Sequence, residues 1–180
     1  MRYEVIAALE AIERRWPKDF AKICEKLLAI AFDRRRGGFS VESTSIQGVD
    51  ISMLRPQVHD GSNERYAIEV KTAHGNIVTL TENDLGKLRR RRENEAYASR
   101  VAAFNVLTAE WVVADAKRFR PGQYSLERLK LDVDDNLLTI AQANFPPALF
   151  QFKSGIVRPQ TGTPLTFLDA VLAREQDSSD

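Results

Sequence analysis

The chain has 180 residues, 43 % of them hydrophobic and 28 % charged, with a formal net charge of +1. That length suits one domain with a sizeable core, and the composition excludes disordered, collagenous and coiled-coil classes. Near-neutral charge also excludes a whole-molecule attraction to nucleic acid, so any such grip must come from a local basic face.

No apolar run is long enough to cross a bilayer. The first residues, with Glu4 and Glu10, lack a secretory apolar segment, so the expected location is the cytoplasm, with no membrane partner. The single cysteine, Cys24, has no intramolecular partner and reads as a small core residue. Two helices are predicted to open the chain. One covers Tyr3 to Arg15; the other starts at Pro17, a residue suited to a first turn, and runs to about Arg35, where Gly37 and Gly38 end it. In the second, Phe20, Ile23, Cys24, Leu27 and Ala31 recur at the spacing of a buried helical face, with Glu25 at its margin.

From Phe39 the period changes to alternation, which predicts strands over Phe39 to Thr44, Val49 to Leu54 and Tyr66 to Thr72. Pro56 and the run His59 to Asn63 supply turn residues between the last two, as a hairpin requires. Thr81 then starts a helix, with Glu82 and Asp84 in its first turn, to about Ser99. Val101 to Leu107 and Trp111 to Ala114 are apolar enough to be strands buried on both faces. Beyond them the pattern weakens: a helix is expected near Leu126 to Leu131, and Pro146 and Pro147 should break whatever precedes them. Gly155 to Pro164 reads as loop, a short helix follows, and 175–180 should be disordered. The expectation is one domain over residues 1–174 with its core at about 17–115, an α/β fold whose central mixed sheet of four or five strands is flanked by helices.

Strand alternation puts Glu69 and Lys71 on one face and Ile68 and Val70 on the other. Asp50 lies among Val49, Ile51 and Met53 in the preceding strand, so antiparallel pairing brings it to Glu69. Two adjacent carboxylates repel, and burying them is costly unless a cation or protons intervene. Magnesium takes one or two carboxylates plus substrate phosphate and waters, and such an ion activates water and neutralises charge at phosphorus. Lys71 would sit near the attacking water, orienting it or stabilising charge on the phosphate. The bare acid-x-Lys pattern is weak, since about one match arises by chance in a chain this long. Asp115-Ala116-Lys117 is a second match, but the strand before it offers no carboxylate to pair with Asp115. The bland alternative for Asp50, Glu69 and Lys71 is a surface ion pair.

These pieces resemble the PD-(D/E)XK nuclease superfamily, restriction-endonuclease-like in fold, and within it archaeal Holliday junction resolvases and restriction-associated domains. The resemblance covers Phe20 to Ala114. It is carried by Glu25-Lys26-Leu27-Leu28, Gly38-Phe39-Ser40-Val41, Gly48-Val49-Asp50-Ile51, Ile68-Glu69-Val70-Lys71-Thr72 and Leu80-Thr81-Glu82-Asn83, in that order. Val49 stands where the superfamily often has proline, and nothing beyond Pro121 matches. The resemblance implies that Asp50, Glu69 and Val70 are ligands of Mg2+ or Mn2+, that Lys71 is the catalytic lysine, and that Glu25 is an additional acidic residue. It implies a DNA endonuclease, of restriction or of DNA repair and recombination, acting on duplex or branched DNA as a homodimer. The rival is a non-catalytic nucleic-acid-binding or assembly module with the same fold.

Two basic clusters are candidates for phosphate contact: Arg35 and Arg36 at the glycine turn, and Lys87, Arg89, Arg90 and Arg92 on the helix after Thr81. His59 and His74 lack partners at zinc-ligand spacing. Glu42 and Ser52 share the polar strand face and need no special explanation.

Overall fold

The computed structural model describes residues 1–42, 48–57, 59–155 and 163–177. It opens with α1 (Arg2–Arg15) and α2 (Phe20–Phe32), followed by β1 (Ser40–Val41), β2 (Ile51–Pro56), β3 (Asn63–Ala73) and β4 (Ile77–Leu80). Next come α3 (Glu82–Glu95), β5 (Ala98–Asn105), β6 (Glu110–Asp115) and β7 (Gly122–Ser125). A short α4 (Leu126–Leu129) running into a 3-10 turn, α5 (Asp135–Lys153) and α6 (Thr163–Asp177) complete it. The fold is α/β. Its central sheet is mixed, with five strands in the order β1-β2-β3-β5-β6, and β4 and β7 form a separate two-stranded sheet.

β2 and β3 are the predicted antiparallel hairpin, with Ile51 opposite Ile68 and Met53 opposite Tyr66. β3 and β5 run parallel, which needs a crossover connection; β4 and α3 provide it. Strand alternation sorts the apolar residues onto two faces. Ile51, Met53, Ile68, Ala102, Phe104 and Val113 join the core formed with α1, α2, α5 and Leu168 and Val171 of α6. Ala67, Val101, Ala103, Val112 and Ala114 face Leu85 and Leu88 of α3 and Val78 and Leu80 of β4. The sheet is therefore flanked by helices on both sides, with α3 over the face that carries Glu69 and Lys71. Among the described residues no helix is long and apolar enough to cross a membrane.

Several expectations are corrected. α5 continues through Pro146 and Pro147, although a proline inside a helix costs about 3 kcal/mol or more. The Asp134 side chain caps it by accepting the Leu137 N–H at 3.1 Å, and Phe145, Leu149 and Phe152 on its inner face are buried. Burial of each such side chain stabilises by about 1.5–3 kcal/mol, so the three together are of the same order as the cost of the two prolines. α3 stops at Glu95 with Ala96 in the left-handed region, because Ala98 and Ser99 pair with Tyr66 and Ala67 in β5. β4 and β7 have four residues each, too few for a period-two pattern to stand out. α6 is helical to Asp177, into the segment expected to be disordered; 178–180 lie outside the described residues, as does the end of the first predicted strand at 43–44.

Candidate active site

The predicted strand around Asp50 begins two residues later than expected, at Ile51. Gly48 adopts φ +78°, a left-handed conformation that suits glycine, and turns the chain into the site. Asp50 then uses its side chain where a strand would use backbone: its Oδ2 accepts the Val70 N–H at 2.8 Å. A side-chain carboxylate bonding to a neighbouring N–H offers the backbone an alternative to ladder pairing, so the β2–β3 ladder ends here and β3 runs on paired with β5 alone. In an antiparallel ladder the N–H and C=O of one residue point to the same neighbour; the Val70 carbonyl thus shares the edge on which its N–H meets Asp50.

Glu69 projects beside Asp50 and is 2 % exposed. Its Oε1 has no hydrogen-bond partner among the described residues. Burial, then the adjacent Asp50 charge, push the Glu69 carboxyl up to about 9, with Lys87 opposing the shift. Unpaired buried carboxylates are costly, and a raised pKa is how a protein avoids one in the absence of a cation. Glu25 approaches from α2. Its carboxyl is also raised, by burial and then by the Asp50 charge, and Lys26 offsets this through an ion pair at 3.2 Å. Three acidic residues from β3, the turn before β2 and α2 thus influence one another. No three His, Cys, Asp or Glu side chains among the described residues converge as a ready-made cage.

α3 closes the site from the other side. Its inward face carries Asp84, Leu88 and Arg91, at the three-and-four spacing that aligns residues along a helix, with Lys87 at the margin. Lys71 does not reach toward the carboxylate pair: its Nζ lies 2.6 Å from Asp84 Oδ2. Lys87 is half-buried, its stem runs past Gly48, and its charge acts on Glu69 with no ion-pair partner among the described residues.

The arginine run divides by direction. Arg89 and Arg90 are exposed, Arg89 with a loose pairing to Glu82 at 3.3 Å. Arg92 is half-buried and donates to Ser99 Oγ at 3.1 Å. Arg91 is internal, 3 % exposed, stacked over Tyr97 at 3.9 Å and bonded to Ser52, Glu42 and Glu95. Ser52 and Tyr97 also donate to Glu42, at 2.6 and 2.9 Å. Glu42 and Ser52 are therefore engaged in a polar network beneath α3. The Arg35 and Arg36 cluster does not come to the carboxylates. Arg36 bonds Asp33 at 3.0 Å and Gln151 of α5 at 2.7 Å, on the other side of the sheet from α3. β1, which follows, aligns Ser40 with Leu54, four residues past Asp50 and so about 13 Å along the strand.

The second acid-x-Lys match is structural: Asp115 faces Arg100 across the β5–β6 ladder at 3.7 Å and accepts the Lys117 N–H. His74 pairs with Glu13. Cys24 is fully buried, and burial pushes its thiol pKa well up. Sequence reasoning treated Asp84 as a first-turn helix residue only. Its signal was the spacing from Thr81 to Asp84 to Lys87, visible only once α3 is known to lie over Glu69 and Lys71.

No family model matches the sequence, and no curated protein matches it. Among solved structures, the chain is similar to Hjc of Archaeoglobus fulgidus, a Holliday junction resolvase from an archaeal hyperthermophile. The two agree with a TM-score of 0.43 and 15 % sequence identity, over 58 % of this chain and 83 % of that one.

Proposed function

We propose that this chain is a divalent-metal-dependent endonuclease of the PD-(D/E)XK superfamily. In this reading it hydrolyses phosphodiester bonds in duplex or branched DNA, in restriction or in repair and recombination, as a cytoplasmic homodimer. The observation that carries the reading is the buried Glu69 carboxyl, with an unpartnered oxygen, set against Asp50. A carboxyl group in that position is either protonated or paired with a cation.

The residues fit Mg2+ or Mn2+. Asp50 and Glu69 would hold the ion, with the Val70 carbonyl on the same edge as a neutral ligand and waters and phosphate oxygens filling the remaining positions. When bound, the ion supplies charge neutralisation at phosphorus and acidifies water. Lys71 donates to the phosphate or to the attacking water. Lys87, beside Glu69 and without an ion-pair partner among the described residues, binds phosphate oxygen. Glu25, whose carboxyl is raised by burial and by the Asp50 charge, stands beside the pair on α2 and does not need to touch the ion. Arg89 and Arg90 follow the DNA backbone from the outer face of α3.

The test is cleavage of plasmid DNA and of a four-way junction with Mg2+ or Mn2+, with Asp50→Ala and Lys71→Ala in parallel. The expected result is cleavage by the wild type and a loss of about a hundredfold or more in each variant. If the wild type cleaves neither substrate, the non-catalytic binding module becomes the better reading.

A further inference from the structure

Resting on the nuclease reading, we infer that Asp84 is the positioning residue for Lys71, tying the catalytic lysine of β3 to the first turn of α3. Asp84 is set in a capping box. Its N–H donates to Thr81 Oγ1 at 3.1 Å, and its own Oδ2 accepts the Thr81 N–H at 2.9 Å. The same Oδ2 takes Lys71 Nζ at 2.6 Å, so one oxygen serves the cap and the lysine together.

The cap does not require this. A capping box is satisfied by its two reciprocal bonds, and glutamate at that position makes it as well. The lysine contact is a second use of the carboxylate, in a place where it is costly: the Asp84 side chain is 9 % exposed and that of Lys71 25 %. A buried ion pair contributes little net stability compared with apolar residues of similar size, so stability does not account for it. What the pair does supply is a fixed Nζ. Without Asp84, Lys71 has no ion-pair partner among the described residues, and the carboxyl groups that share its sheet face are those of Glu69 and Asp50; a lysine drawn onto them would oppose the cation that the pair is to hold. Asp84 keeps the lysine beside the carboxylates and off them. Asp84 Oδ2 is occupied by Lys71 Nζ and the Thr81 N–H, so the contact it offers the site is the one through Lys71.

Two measurements test this. The first needs no DNA or metal: the side-chain order of Lys71, from NMR relaxation at Cε, is compared with that of exposed Lys18. Lys71 should be the more ordered in the wild type and should drop to the Lys18 level in Asp84→Asn, a variant that retains an oxygen for the Thr81 N–H. Unchanged order in Asp84→Asn overturns the inference. The second is cleavage: Asp84→Asn should lower kcat by about a hundredfold, the loss that misplacing a catalytic group brings, with KM for DNA unchanged. Asp84→Glu, which keeps both the cap and the charge, should recover most of it. An Asp84→Asn protein that cleaves like the wild type while Lys71→Ala does not overturns the inference and leaves the nuclease reading standing. A wild type that cleaves nothing overturns that reading and the kcat consequence with it, and the NMR measurement still decides whether Asp84 holds Lys71.

Discussion

Glu69 is where a single residue departs furthest from its behaviour in water. Folded, its carboxyl keeps a proton up to about pH 9, against an ordinary value of 4.5. Below about pH 4.5 both folded and unfolded chains are protonated there. As pH rises from that point toward 9 the unfolded chain releases its proton first, and the metal-free fold loses stability across this window. Glu69→Gln has no proton to lose, and its amide can donate to Asp50. Its Tm without divalent ions should therefore match the wild type near pH 4 and exceed it at pH 8 by on the order of 5 °C, measured by calorimetry; equal pH profiles would show that Glu69 is ionised and solvated in the fold. Under the proposed function the same group makes metal binding release a proton and tighten with pH. Asp50 differs in its partner: its Oδ2 accepts the Val70 N–H.

At the scale of elements, α3 joins three tasks because its faces differ. The inner face holds Asp84 against Lys71 and Arg91 in the network with Ser52, Glu42 and Tyr97. The outer face presents Arg89 and Arg90. Replacing both of these by alanine should lower the slope of log affinity against log salt by about 2 for duplex DNA and leave Tm unchanged, as fluorescence anisotropy over a salt series would show. Arg36→Ala is the contrasting variant. Its guanidinium bridges Asp33 and Gln151, so the expected result is an unchanged salt slope with a loss of about 1 kcal/mol of stability. A shallower slope for Arg36→Ala would place DNA on the α5 side of the sheet. The internal Arg91 shows why a run of four arginines is not one functional unit: at 3.6 residues per turn, successive side chains point about 100° apart.

For the whole molecule, the proposed ion should stabilise the fold by mass action, since a ligand that binds only the native state raises Tm with concentration. Mn2+ at about a hundredfold over its Kd should add about 2.7 kcal/mol in the wild type and nothing in Asp50→Ala; an equal gain in both would locate the ion elsewhere. Cutting both strands of a duplex calls for two sites, so the proposed homodimer predicts sedimentation at about twice the 20.3 kDa chain mass.

Much of this architecture was legible in the chain itself. Local periodicity located α1, α2, α3 and strands β2, β3, β5 and β6 to within a few residues, because apolar spacing follows directly from which face of an element is buried. The turn residues between Pro56 and Asn63 identified the hairpin, and with it the meeting of Asp50 and Glu69, since antiparallel pairing leaves few registers that keep Ile51, Met53 and Ile68 on one face. The tertiary structure decided what depends on contacts between distant segments. Pro146 and Pro147 stay inside α5 because packing of Phe145, Leu149 and Phe152 offsets a local rule. The strand at Asp50 yields to a side-chain bond with Val70, twenty residues on. Arg36 goes to α5 and Arg91 goes inward, for a charge in a sequence carries no direction until its helix has been packed. Asp84 meets Lys71 for the same reason: the distance between them is set by where α3 lies on the sheet, which no local pattern encodes.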